Sequence, residues 1–276
     1  MWNGGTAFAL CLASMPEGPD QATADFFDRS LRRLKEAGVD FLVGGAYALN
    51  CHAGVERHTR DFDVFVRPGD ADATLAALAP LCDRTDLTFP HWLGKAYCGD
   101  AYVDVIFNSG NGVCEVDDEW FEHAIDSTVF GQEVRLVPVE EMIWQKAFVM
   151  ERERFDGADI AHMLRASGKR LDWARLLRRF RPHWRLLLAH LVLFGFIYPD
   201  EREVVPARVM DLLSERLRRE GGVAPSGQLL CRGTLLSREQ YLFDLERWGY
   251  QDARLLPPAR MSEEEIAEWT AAIATK

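Results

Sequence analysis

Between residues 23 and 37, Phe26, Phe27, Leu31 and Leu34 recur at helical spacing while Arg32, Arg33, Lys35 and Glu36 take the other side, which predicts an amphipathic helix. Gly38 is placed to end it, and the apolar run 39–43 reads as a strand that stops at Gly44-Gly45. Residues 46–52 read as a second helix. Residues 61–66, Asp-Phe-Asp-Val-Phe-Val, alternate with period two, so Asp61 and Asp63 share one face of a strand and Phe62 and Val64 the other. After the turn at Arg67-Pro68-Gly69-Asp70, residues 70–81 predict a helix. Residues 97–99 and 101–107 then suggest a hairpin across Gly99-Asp100, with the single carboxylate Asp104 in its second, apolar strand.

Further on, residues 108–112 read as a loop, 120–124 as a short helical piece and 133–137 as a strand. Pro138 and the acids Glu140 and Glu141 open a helix with Met142, Ile143, Ala147 and Met150 on its apolar side and Lys146 between them. Asp156-Gly157-Ala158-Asp159 begins the next helical segment, 160–166. A basic helix with Leu176, Leu177 and Phe180 on its apolar side ends at Pro182, and 186–197 is apolar enough to read as a buried helix. Residues 206–219 are amphipathic with Val209, Leu212, Leu213 and Leu217 inward, 221–227 is a flexible loop, and 238–249 is a helix with Tyr241, Leu242, Leu245 and Trp248 as core. Ser262 and Glu265 form a capping box for a final helix. Residues 1–20, broken by Pro16 and Pro19, read as a loose leader. There is no internal repeat. The expected fold is α+β: a small mixed sheet with helices over residues 1–137, then a mainly helical domain over 138–276.

Composition narrows the function. A chain of 276 residues, 48% hydrophobic and 27% charged, has the make-up of an ordinary soluble globular protein able to bury a large core. Its net charge of −11 argues against a protein that coats nucleic acid non-specifically. One stretch opposes that balance: Arg165, Lys169, Arg170, Arg175, Arg178, Arg179, Arg181 and Arg185 face only Asp172. Such a run can receive RNA phosphates, but a solvated face paired with acidic neighbours is the plainer reading. Cys11, Cys51, Cys82, Cys98, Cys114 and Cys231 lack the Cys-x-x-Cys spacing of a zinc cage, and reduced thiols in a cytoplasmic protein are the simpler expectation. The apolar residues 7–13 follow no basic residue and make a poor signal peptide, and no apolar run is long enough for a membrane span.

The candidate chemistry lies in residues 41–66. Two carboxylates on one strand face repel each other unless a cation sits between them, and hard oxygen ligands suit Mg²⁺. Upstream, Gly44 and Gly45 precede a helix whose N-terminal amides and dipole favour phosphate. Phosphate cradle and metal-binding strand together are what chemistry on a nucleoside triphosphate requires.

A strand ending in Gly44-Gly45, a helix, the Arg57-His58-Thr59 step and Asp61-Phe62-Asp63 resemble the DNA polymerase beta nucleotidyltransferase superfamily. Within it, the long spacing from glycines to carboxylates resembles the bacterial branch of uncharacterised and toxin-like, abortive-infection-type nucleotidyltransferases. The resemblance implies a polymerase beta-like core with Asp61, Asp63 and Asp104 holding one or two Mg²⁺ ions. Gly44, Gly45, Arg57, Thr59 and Lys146 would bind the nucleotide, and Asp156 and Asp159 would support Lys146. It implies transfer of a nucleoside monophosphate from a nucleoside triphosphate such as ATP to a hydroxyl acceptor with release of pyrophosphate. The acceptor would be an RNA end or a protein, with an antitoxin as a further partner. Alternatives are an aminoglycoside-type small-molecule transferase, which suits an acidic chain, and a non-catalytic nucleotide-binding regulatory module. A metal-dependent phosphohydrolase is a third, although His52 and His58 sit in no ligand spacing.

Overall fold

In the computed structural model, which describes residues 19–57, 59–222 and 227–272, Asp20 caps the first helix by accepting the amide of Thr23 at 2.9 Å. That helix, α1 (Gln21–Glu36), buries Phe26, Phe27, Leu31 and Leu34 as its spacing predicts, and Gly38 leaves it with φ +70. Short strand β1 (Leu42–Val43) leads into α2 (Gly45–Ala53) and then β2 (Asp61–Phe65). After α3 (Ala71–Leu78) come β3 (Arg84–Phe89), β4 (Leu93–Cys98) and β5 (Ala101–Ile106), followed by α4 (Asp118–Glu122), β6 (Ile125–Val129) and β7 (Gln132–Leu136). Among the described residues these strands form one mixed sheet in the order β3-β4-β5-β2-β1-β7-β6.

The period-two alternation of β2 divides this sheet into two unlike faces. Phe62 and Val64 lie opposite Val103 and Val105 of the parallel strand β5, and all four are fully buried. Phe27 of α1 stacks on Phe62 at 5.2 Å and Tyr47 of α2 meets it edge-on at 5.2 Å, so both helices cover this apolar face. The other face carries Asp61, Asp63 and Asp104, with Phe65 further along β2 stacked on Trp120 of α4 at 5.6 Å.

The chain divides into two compact units, residues 1–110 with 115–138, and residues 111–114 with 139–276. The second contains α5 (Val139–Ala147), α6 (Gly157–Ser167), α7 (Trp173–Arg179), α8 (Trp184–Ile197), α9 (Ala207–Glu220), the strand pair β8 (Leu230–Cys231) and β9 (Gln251–Asp252), α10 (Leu242–Trp248) and α11 (Glu263–Ala271). The Ser262–Glu265 capping box forms as predicted. No described helix is long and apolar enough to cross a membrane, and the five described cysteines are free thiols.

Several expectations need correction. Strands β3 and β6 are absent from the sequence reading, because both lie at sheet edges and alternate too weakly in polarity to announce themselves. The α5 helix ends at Ala147, so Met150 lies outside it and bridges to Phe155. In α8 the apolar run is not buried all round, since Val192 and Phe196 are 58% and 81% exposed. Leu212 and Leu217 of α9 and Trp248 of α10 also face outward instead of joining the core. The leader through residue 18, with Cys11, and the loop residues 223–226 lie outside the described residues, as does His58.

Candidate active site

Strand register gathers the three aspartates. Asp63 lies opposite Asp104 in the parallel β2–β5 pair, and Asp61 lies two residues before Asp63 on the same face, opposite Tyr102. One carboxylate oxygen from each of Asp61, Asp63 and Asp104 lies within 4.8 Å of the others. Three anionic oxygens at that spacing can be drawn onto one hard divalent cation and suit Mg²⁺ far better than a soft metal. A two-residue turn at Gly99-Asp100 joins β4 to β5 and sets Lys95 opposite Asp104, where its ammonium donates to Oδ1 of Asp104 at 2.6 Å. The same ammonium lies 4.1 Å from the centre of the Tyr102 ring.

The environment perturbs these groups as their burial dictates. Burial pushes the Asp104 carboxyl up to about 6; Lys95 opposes that rise, and the charge of Asp61 adds to it. Tyr102 is pushed up to about 12 by burial and then by the nearby aspartates. The Tyr47 hydroxyl, raised first by burial and then by Asp61 and Asp63, is buried with no hydrogen-bond partner among the described residues.

The glycine turn sits directly on this cluster. The Gly44 amide donates to the Asp63 carbonyl at 3.0 Å, and α2 starts at Gly45, whose φ is +56. A Cβ on Gly45 would lie 1.6 Å from Oδ2 of Asp63, and one on Gly44 would lie 2.1 Å from the Phe65 ring. Only glycine fits at either position. The first-turn amides of α2, which have no intrahelical acceptor, therefore open beside the Asp63 carboxylate. At the other end of α2, His52 Nε2 lies 2.8 Å from the Val137 carbonyl, a structural tie.

The remaining candidates sit as follows. Thr59 makes long 3.4 Å hydrogen bonds with the backbone of Asp61, bracing the start of β2, while Arg57 is exposed in the preceding segment. In the second unit Lys146 donates to Asp156 at 2.8 Å and to Asp159 at 2.7 Å, and Arg154 adds a second cation to Asp156. Burial pushes the Asp156 carboxyl up, but Arg154 and Lys146 outweigh it and hold it below its usual value. Its stabilising effect is thus complete above about pH 4 and is lost as pH falls through the lower folded value. Lys146→Met is expected to take one ammonium from both buried carboxylates, leaving Arg154 on Asp156, and to cost about 3–5 kcal/mol in urea unfolding. A loss below about 1 kcal/mol would mean that the cluster is solvated.

Four of the eight cations in the basic run 165–185 pair with carboxylates of their own unit. Buried Arg175 and half-buried Arg179 pair with Glu140 and Glu141. On the surface, Arg165 pairs with Glu201 and Arg185 with Glu220.

Reading the sequence alone missed Lys95 and Tyr102 as neighbours of the aspartates. The signal was available, because the hairpin turn fixes the register and sets Lys95 opposite Asp104.

Residues 23–182 match the model of the family described as nucleotidyl transferase of unknown function (DUF2204). That span includes the glycine turn, all three clustered aspartates, Lys95 and Lys146. No curated protein matches the chain. Among solved structures, the antibiotic-resistance factor ANT(2'')-Ia is similar at 17% identity, covering 73% of this chain and 94% of its own, with a TM-score of 0.37. The lincosamide antibiotic adenylyltransferase LnuA is similar at 12% identity over 50% of this chain and 94% of its own, with a TM-score of 0.38. An antigenic nucleotidyltransferase-like protein from Paracoccidioides brasiliensis reaches 17% identity over 67% of this chain and 92% of its own, with a TM-score of 0.40. Likenesses this distant carry no argument, and the assignment rests on the family match. Matched over more than half its length, the chain belongs to the DUF2204 family of nucleotidyl transferases and is an enzyme of that class.

Proposed function

We propose that the enzyme uses Mg²⁺, held by Asp61, Asp63 and Asp104, to move a nucleoside monophosphate from a nucleoside triphosphate onto a hydroxyl acceptor. The supporting observation is the meeting of three aspartate oxygens within 4.8 Å of one another, beside the N-terminus of α2. Bound there, the cation supplies positive charge to the phosphates as negative charge shifts in the transition state. Gly44 and Gly45 would let the phosphates approach the α2 amides, and Arg57, exposed in the segment before β2, would serve as a counter-charge. Thr59 braces Asp61. Lys146 keeps one ammonium hydrogen beyond its two aspartate bonds, the donor that a counter-charge role would use. In the transfer, the acceptor oxygen bonds to the α-phosphorus as the bond to the bridging oxygen breaks. Pyrophosphate leaves with the electron pair, and the hydroxyl proton passes to Asp104.

For the acceptor, the toxin-like reading offers an RNA end or a protein hydroxyl, with an antitoxin as partner. The pairing of Arg165, Arg175, Arg179 and Arg185 with carboxylates halves the basic run that spoke for RNA. A protein hydroxyl, or a polyamine-like small molecule drawn to an acidic chain, fits better. The test measures pyrophosphate release from each of the four nucleoside triphosphates with Mg²⁺, offering total RNA, protein or an aminoglycoside panel in turn. Label carried in the α-phosphate then identifies the acceptor. No release with any combination would overturn the reading.

Because protons and cation compete for the Asp104 oxygens, Mn²⁺ affinity should fall by about tenfold per pH unit below pH 6. Calorimetry between about pH 5 and 7.5 measures this. A flat profile would remove Asp104 from the ligand set.

A further inference from the structure

Lys95 reaches only one of the two oxygens of Asp104. Its ammonium donates to Oδ1 at 2.6 Å, and Oδ2 accepts no hydrogen bond among the described residues. The ammonium is well fixed there. The β4–β5 register sets Lys95 opposite Asp104, and the centre of the Tyr102 ring lies 4.1 Å away. Both side chains are largely buried, at 18% and 12% exposure, so opening the bond would leave each charge without its partner and poorly solvated.

A carboxylate with both oxygens free can hold a cation through one of them or through both. With Oδ1 taken by Lys95, Asp104 has one oxygen left to offer. One is enough for the cluster, since Asp61, Asp63 and Asp104 each bring a single oxygen within 4.8 Å of the others. Divalent cations respond differently to such a ligand. Mg²⁺ is small and takes about six oxygens in a near-ideal octahedron, which one-oxygen carboxylates suit. Ca²⁺ is larger, takes about six to eight oxygens, and gains from a carboxylate that binds through both. We propose that Lys95 determines metal specificity: by occupying Oδ1 it keeps Asp104 a one-oxygen ligand and tunes the aspartate cluster to Mg²⁺ against Ca²⁺. The inference rests on the divalent-ion reading of the three aspartates, and Asp104 stays among the ligands. Lys95 acts through Asp104, as a positioning residue.

The test displaces Mn²⁺ from the full-length protein with Mg²⁺ or with Ca²⁺ and follows the electron paramagnetic resonance signal of the released ion, so it needs no turnover. Wild type is expected to release Mn²⁺ at a lower concentration of Mg²⁺ than of Ca²⁺. In Lys95→Met, Oδ1 becomes free, and the preference for Mg²⁺ should fall by about tenfold or more, the scale on which partners of metal ligands tune affinity. Lys95→Arg, which keeps a donor and the charge, should stay near the wild-type ratio. The ratio is the readout because loss of the positive charge alone strengthens both ions alike. An unchanged ratio in Lys95→Met, whether both ions bind better or neither does, would overturn the inference and leave the metal site standing. A wild type that takes Ca²⁺ as readily as Mg²⁺ would do the same, and that result holds even if the Met variant fails to fold. Wild type that binds no Mn²⁺ would overturn the metal site itself and the inference with it.

Discussion

Replacing Asp63 by Asn is expected to lower kcat/KM for nucleotidyl transfer by about a thousand-fold or more, the scale seen when a group stabilising transition-state charge is lost. Asn preserves the shape of the side chain and removes its charge, so the change separates chemistry from packing. The bond that holds the glycine turn survives, because Gly44 donates to the backbone carbonyl of Asp63 and not to its carboxylate. Stability should hold or rise slightly, since Asp61, Asp63 and Asp104 crowd three negative charges on one face of the sheet. Asp61→Asn should behave in the same way. Pyrophosphate release and thermal melting, measured side by side, check both halves of the expectation. Turnover retained by both single variants would remove the β2 pair from the chemistry, and a collapsed melting temperature would make the aspartates structural.

How much of this was legible in the sequence depended on whether the signal was local. The Asp61-Phe62-Asp63-Val64 alternation needs only the two-residue period of a strand, and it placed Phe62 and Val64 in the core and both carboxylates on the other face. The capping box at Ser262 and the helix that buries Phe27 and Leu31 are equally local. Lys95 takes one step more, since its meaning comes from the residue set opposite it by the Gly99-Asp100 turn. It becomes legible only once that hairpin's register is followed back along β4. The basic run shows the same limit. Eight cations within twenty-one residues look like a surface for phosphates until Glu140, Glu141, Glu201 and Glu220 arrive from elsewhere in the chain. The outward-facing Leu212, Phe196 and Trp248 mark the opposite error, because apolarity in a sequence does not say which side of a helix another element will cover.

Gly45→Ala should damage stability and activity together, and its comparison with Gly54→Ala shows why. Both glycines have left-handed backbones, φ +56 and +67, at opposite ends of α2. At Gly54 a new Cβ meets nothing within 4 Å, so the cost is backbone strain alone, about 1–2 kcal/mol. That corresponds to a few degrees of melting temperature for a chain of this size, with turnover unchanged. At Gly45 the same strain is joined by a Cβ placed 1.6 Å from Oδ2 and 2.6 Å from Cγ of Asp63. The methyl group and the carboxylate cannot share that space, so Asp63 must rotate away or the start of α2 must retreat. Either movement separates the helix amides from the aspartates. Pyrophosphate release should therefore fall by about a hundred-fold or more, the penalty expected when reacting groups are displaced by an ångström, and melting should drop further than for Gly54→Ala. Equal activity in the two variants would mean that the close approach of α2 to Asp63 has no part in positioning the nucleotide.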